Sequence, residues 1–300
     1  MRLDPAPLAS VAYVLAAACR PAAVPQPPGL EPTPAQTTTH RPAASAGRGA
    51  MIAEMCPDAL GGRPGLAPLA MRGVSWTNDR DELEAALARG QASQFTVVAV
   101  DGARAGRFAV VGAAEGTVLA AVGAYTGAPP CTRRGDAGRD GALDEACVRA
   151  RRGCGLAVAP LGAAGGLLDD EAEPPAVVVG GVCAAGADLA IDVDGDGAPE
   201  RFPRAAFLDA MRAPAEEVSV AADTQLATCA PTFALATGPV PGEGLAVSLD
   251  VLGVLDVDGD GWREVVIELA YADRRTVAVW SAVDTAARLT LVGEVEPWAP

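Results

Sequence analysis

Two short stretches of this chain concentrate carboxylates at a spacing that suits a hard cation. Residues 191–200 read IDVDGDGAPE and residues 255–264 read LDVDGDGWRE. Asp192, Asp194 and Asp196 alternate in the first, with Gly197 next and Glu200 closing it; Asp256, Asp258, Asp260, Gly261 and Glu264 repeat the pattern. A calcium ion takes six to eight oxygen ligands, and a tight loop supplies them from alternating positions. The glycine allows the sharp turn, and the carbonyl of the next residue (Ala198 or Trp262) is placed to join the shell. Without a cation these carboxylates repel one another. The competing reading is that DGDG simply makes a hairpin turn. Two copies, each with its fourth carboxylate in the same place, favour divalent ions, with calcium preferred over magnesium and two ions per chain.

Other chemistry has less to work with. The single histidine is His40, and the chain contains no lysine. A Ser-His-Asp triad, a Cys-His dyad, a histidine-bound zinc, a Schiff base and a P-loop therefore find no residues in the folded part. Carboxylates alone suffice for a hydrolase, and Asp169, Asp170 and Glu171 are the candidates, in a Gly/Pro-flanked stretch. No catalytic or organic-cofactor residue is assigned. A formal charge of −15 argues against nucleic acid as a partner.

The EF-hand pattern requires a glutamate at position twelve, where these loops carry Pro203 and Ile267. With glutamate at position nine, the stretch resembles the DxDxDGxx(D/E) loops of FG-GAP and VCBS-type repeats of exported bacterial proteins. That resemblance implies calcium loops lying between strands, closed by the ninth residue, in propeller-blade-like sheets. VLDVDGDGWREVVIELAY follows it directly, whereas FPRAAFLDAMR after the first loop reads as helical and places that loop at a strand–helix junction. The functions implied are a calcium-binding structural or interaction protein with a protein or glycan partner, a calcium-dependent carbohydrate-active or phosphodiester hydrolase, or a propeller-type adhesion module.

The N-terminus positions the rest. MRLDPAPLASVAYVLAAACRP has Arg2, a short apolar run and Ala16-Ala17-Ala18 before Cys19, which resembles a bacterial lipoprotein signal. Cleavage after Ala18 without lipidation is the alternative; either way the protein is expected at the cell envelope or secreted, with membrane contact only through Cys19. Residues 1–18 are read as the signal and 19–55 as a Pro/Ala/Thr-rich disordered tether. The six remaining cysteines, Cys56, Cys131, Cys147, Cys154, Cys183 and Cys229, form an even set expected to pair as disulfides. Neighbourhood suggests a bridge among Cys131, Cys147 and Cys154, and another between Cys183 and Cys229.

The folded part is expected to be mainly β with some α, an α+β arrangement of antiparallel meander sheets carrying the calcium loops. Residues 56–161 form an N-terminal half with a helix at TNDRDELEAALARG, capped by Asn78, followed by the strands FTVVAV, RFAVVGA and TVLAAVGAY. Residues 162–175 are a flexible connection. Residues 176–300 form a β-rich C-terminal half, in which LAVSLDVLGVLDVD, REVVIELAYA, TVAVWSAV and RLTLVGEV read as an up-and-down sheet. The echo VAVDGARAGRF at 98–108 lacks the third aspartate and is read as a hairpin turn.

Overall fold

A computed structural model describes residues 49–113, 120–133, 142–151, 153–162, 181–212, 218–223, 230–237, 246–271, 274–282 and 288–296. Residues 1–18 (read as a signal), Cys19, His40, the 162–175 stretch beyond residue 162 and Asp169–Glu171 lie outside them. The chain is mainly β. The strands are β1 (Ala50–Cys56), β2 (Gly65–Arg72), β3 (Trp76–Thr77), β4 (Gln94–Val98), β5 (Arg104–Ala113), β6 (Ala121–Gly127), β7 (Thr132–Arg133), β8 (Ala142–Leu143) and β9 (Gly155–Pro160). They continue with β10 (Val182–Ala185), β11 (Asp188–Ile191), β12 (Glu200–Pro203), β13 (Ser219–Ala221), β14 (Leu235–Ala236), β15 (Ala246–Leu255), β16 (Glu264–Tyr271), β17 (Arg275–Ser281) and β18 (Arg288–Val295). Among the described residues, three short helices join them: α1 (Arg80–Ala88), α2 (Glu145–Arg151) and α3 (Arg204–Ala210).

The first half closes on itself. Strands run β1-β9-β4-β5-β6-β2, and β2 pairs back with β1, so an antiparallel barrel forms with β3 appended. Closure removes the open edges that invite foreign strands. Met51, Ala53 and Met55 of β1 alternate inward onto Phe95, Val97 and Phe108. Leu83 and Ala86 of α1 join the same core. The cap of α1 is Asp79, one residue beyond the expected Asn78; its carboxylate accepts from the N–H of Asp81 and Glu82.

Strand β1 was not legible as a strand. Its first six residues, AMIAEM, belong to the stretch read as tether, yet all seven residues of the strand are buried. Its outward residues Ala50 and Ile52 face a second sheet, so neither face meets water and the polar alternation that signals a strand is missing. Ordered structure thus begins ahead of residue 56.

The second sheet has the order β13-β18-β17-β16-β15-β14. Its central meander, β15 to β18, is the expected up-and-down sheet, extended by a short strand on each edge. One face packs on the barrel wall: Leu252, Leu255, Val266, Val277 and Val279 meet Ile52, Leu69, Val98 and Val158. The other face, with Val251, Val265, Ile267 and Trp280, packs on β11, β12 and α3 through Leu189, Phe202 and Phe207. Phe207 meets the Trp280 ring edge-on at 5.1 Å. Burial on both faces explains the near-continuous apolar runs VLGVL and EVVIEL.

Two disulfides fasten the barrel. Cys56 bonds to Cys154, tying the end of β1 to the start of β9, and Cys131 bonds to Cys147. Cys154 therefore pairs outside the Cys131–Cys147–Cys154 neighbourhood, because antiparallel pairing of β1 with β9 brings it beside Cys56. Cys183 is also disulfide-bonded; Cys229 lies outside the described residues.

Candidate metal centre

Both acidic loops close β-hairpins. β11 and β12 pair with Ile191 opposite Glu200; β15 and β16 pair with Leu255 opposite Glu264. The first loop is therefore not at a strand–helix junction. Residues 201–203 continue the ladder with Phe202 buried, and α3 begins only at Arg204. In each loop the second residue, Val193 or Val257, is buried in the core and pins the turn.

Backbone geometry repeats between the copies. Gly195 and Gly197 have φ of 73° and 84°, and Gly259 and Gly261 have 73° and 86°. These left-handed values at positions four and six are ones a side chain adopts only with strain. The turn so made brings one carboxylate oxygen from each of Asp192, Asp194 and Asp196 within 4.8 Å of the others, and likewise for Asp256, Asp258 and Asp260.

Each aspartate gives one oxygen to its own loop. In the first, Gly197 N–H donates to Asp192 Oδ2 at 3.2 Å, Asp196 N–H to Asp194 Oδ1 at 3.2 Å and Ala198 N–H to Asp196 Oδ1 at 2.7 Å. In the second, Asp256, Asp258 and Asp260 accept from the N–H of Gly259, Asp260 and Trp262 at 2.8, 3.2 and 2.8 Å. These bonds hold the carboxylates in place. Asp192 Oδ1 is buried with no hydrogen-bond partner, whereas Asp258 Oδ2 is ion-paired with Arg72. Both residues are more than nine-tenths buried. The unpartnered Asp192 Oδ1 costs on the order of 1–3 kcal/mol unless something satisfies it.

The ninth residues stand behind the triads. Glu200 Oε2 accepts from Val193 N–H at 3.0 Å, and Glu264 Oε2 accepts from Val257 N–H at 3.2 Å. Glu264 is fully buried and its Oε1 also accepts from the Ser281 hydroxyl at 3.1 Å. Each glutamate thus locks its loop to the adjoining strand.

Two arginines counter part of the charge. Arg72, from the barrel strand β2, places Nε 2.8 Å from Asp258 Oδ2 and Nη2 3.1 Å from Asp260 Oδ2. Arg263, at position eight of the second loop, donates to Asp192 Oδ2 of the first at 2.9 Å. The deficit of positive charge remains. Burial, with repulsion from neighbouring aspartates added, pushes Glu200 up to about 7. Burial raises Asp258 to about 6 against the opposing pull of Arg72. Burial lifts Glu264 well above the carboxylate range, with Asp258 adding to it, and it also raises Asp194 and Asp256. A group of acids that resists ionising as a set is one that a divalent cation stabilises.

Arg72, Arg263 and Ser281 were not found from the sequence. Arg263 left a trace, since position eight is Pro199 in the first loop and arginine in the second. Arg72 and Ser281 left none, because they arrive through sheet packing. The same holds for a buried network between barrel and second sheet. Arg275 donates to Glu268 at 2.6 Å and to Glu54 at 2.8 Å, with both glutamates almost fully buried. Glu54 also sits near Cys56 and Cys154, but the disulfide removes those sulfurs as ligands.

A cavity of about 270 Å³ lies between α1 and β5, lined by Leu87, Val110 and Val111, with Glu84 as its one carboxylate. It shares no residue with either acidic loop. The hairpin read at 98–108 is the β4–β5 connection, turned at Gly102.

Comparison of the chain with protein-family models, with curated proteins and with solved structures finds no match.

Proposed function

We propose that this is an exported calcium-binding protein in which two hairpin loops each hold one ion, and whose role is structural or adhesive toward a protein or glycan partner at the cell surface. The ligands are one oxygen each from Asp192, Asp194 and Asp196 with the Ala198 carbonyl, and from Asp256, Asp258 and Asp260 with the Trp262 carbonyl. Glu200 and Glu264 close the sites. The observation that carries the reading is the buried Asp192 Oδ1, which lacks a hydrogen bond inside its triad of converging aspartates; the second loop repeats that triad and its backbone geometry. Hard oxygens at that density suit calcium better than magnesium, which demands near-ideal octahedral geometry and dehydrates reluctantly. The export reading rests on the Cys19 signal and on the disulfides, which persist in oxidising compartments.

The ion acts here as a ligand specific to the native state. At a calcium concentration a hundredfold above Kd, each site adds about 2.7 kcal/mol. Two sites then raise Tm by about 10–20 °C for a domain of this size. Thermal melting of the chelator-stripped chain, with and without millimolar calcium, tests this. Asp194→Ala and Asp258→Ala should each lose part of the rise, and an unchanged Tm in wild type counts against the reading.

A further inference from the structure

The two acidic loops touch each other, and the contact is one-sided. Arg263 belongs to the second loop, immediately before Glu264. Its backbone N–H donates to the Val193 carbonyl of the first loop at 2.9 Å. Its guanidinium Nη1 donates to the Asp192 carbonyl at 3.1 Å and to Asp192 Oδ2 at 2.9 Å. The side chain is largely buried, at 12 % exposure. Space is kept for it by glycine: a Cβ at Gly181 would fall 2.8 Å from Arg263 Nη1, and one at Gly195 would fall 3.2 Å from Nη2. The first loop has no equivalent arm, since its eighth residue is Pro199.

We propose that Arg263 couples the two cation sites, so that an ion in the second loop raises the affinity of the first. This rests on the calcium reading above. The carbonyl of Trp262 is the seventh-position ligand of the second loop, and Arg263 is the next residue. A cation that fixes Trp262 fixes the backbone from which Arg263 reaches out. Arg263 then holds Asp192, the first ligand of the other loop, in place before its own ion arrives. The entropy of ordering Asp192 has already been met by the first binding event, and that saving is the physical content of positive coupling. Repulsion between the two cations opposes it, but the guanidinium charge is present in both states and contributes no difference between them. Coupling free energies between sites commonly correspond to about 5–150-fold in affinity, and the expectation here is about tenfold, toward the lower end of that range.

A thermodynamic cycle by calorimetry with calcium chloride on the full chain tests the proposal. Asp258→Ala leaves only the first loop to titrate, and Asp194→Ala leaves only the second. The overall two-ion association constant of wild type should exceed the product of the two single-site constants by about tenfold. In an Arg263→Gln background the same comparison should give a ratio near one, with both ions still bound. Should Asp258→Ala not fold, Asp256→Asn replaces it. A ratio of one in the wild-type background, with two ions bound, overturns the coupling and leaves the calcium reading standing. A persisting tenfold ratio in the Arg263→Gln background also overturns it, because the path would then lie elsewhere. No calcium bound by wild type overturns both.

Discussion

Replacement of Arg275 by methionine should strongly destabilise the protein. Arg275 lies where the barrel meets the second sheet, and its guanidinium is shared by Glu268 of β16 and Glu54 of β1. Glu54 is 1 % and Glu268 2 % exposed. Removing one partner of a buried ion pair costs about 3–5 kcal/mol, because the remaining charge is left desolvated. Two carboxylates lose their partner here, but Arg151 of α2 still acts on both, and proton uptake limits the loss. An expected cost of about 4 kcal/mol corresponds to a Tm lower by about 8–16 °C in a domain of this size. Burial already raises Glu268 against the pull of Arg275. Without the arginine its native-state pKa rises further above the unfolded one. Such a group stabilises the native state at low pH, and that stability is lost as pH rises through the native pKa. The variant should therefore recover toward wild type as pH falls from about 8 to about 5. Urea denaturation across that range measures both effects. The triple variant Glu54→Met/Glu268→Met/Arg275→Met should regain most of the loss, since apolar replacements of buried ion pairs are often neutral or better. A single variant within about 1 kcal/mol of wild type at pH 8, with no pH trend, would refute the reasoning.

The acidic loops and the disulfides yield further tests. Glu264→Gln removes a charge from a fully buried site whose neighbours are acids, so it should raise the Tm of the calcium-free protein and shrink the rise that calcium produces. In chelator, wild-type stability should increase as pH falls from about 8 toward 6, because Glu200 and Asp258 have native pKa values near 7 and 6, above their unfolded values; calcium should flatten that dependence. Melting in buffers of fixed ionic strength reads both. Cys56→Ala opens a loop with a sequence separation of 98 and should cost about 2–5 kcal/mol by denaturant titration.

Much of the C-terminal sheet was legible because each strand there carries its own signal. REVVIELAYA and TVAVWSAV are long β-branched runs with short turns, and they became β16 and β17. The clustering of the aspartates was legible for a related reason: each triad comes from one nine-residue stretch, so spacing alone brings its oxygens together. What failed was what depends on the other side of an interface. β1 has alanine, methionine and glutamate where a strand usually has branched residues, and only its burial between barrel core and second sheet makes it a strand. Barrel closure requires β2 to pair with β1, a fact no local pattern carries. Likewise Arg72 reaches Asp258 from another sheet, and Cys154 finds Cys56 through strand pairing rather than nearness in sequence. The first loop misled because a short strand and a helix follow it directly, and four residues of ladder were too few to read.

Calorimetric stoichiometry of calcium binding to the chelator-stripped full chain tests the central claim most directly. The account predicts two ions bound by wild type, one by Asp194→Ala and one by Asp258→Ala, with magnesium a poor competitor. Wild-type protein that is folded yet takes up no calcium would contradict it.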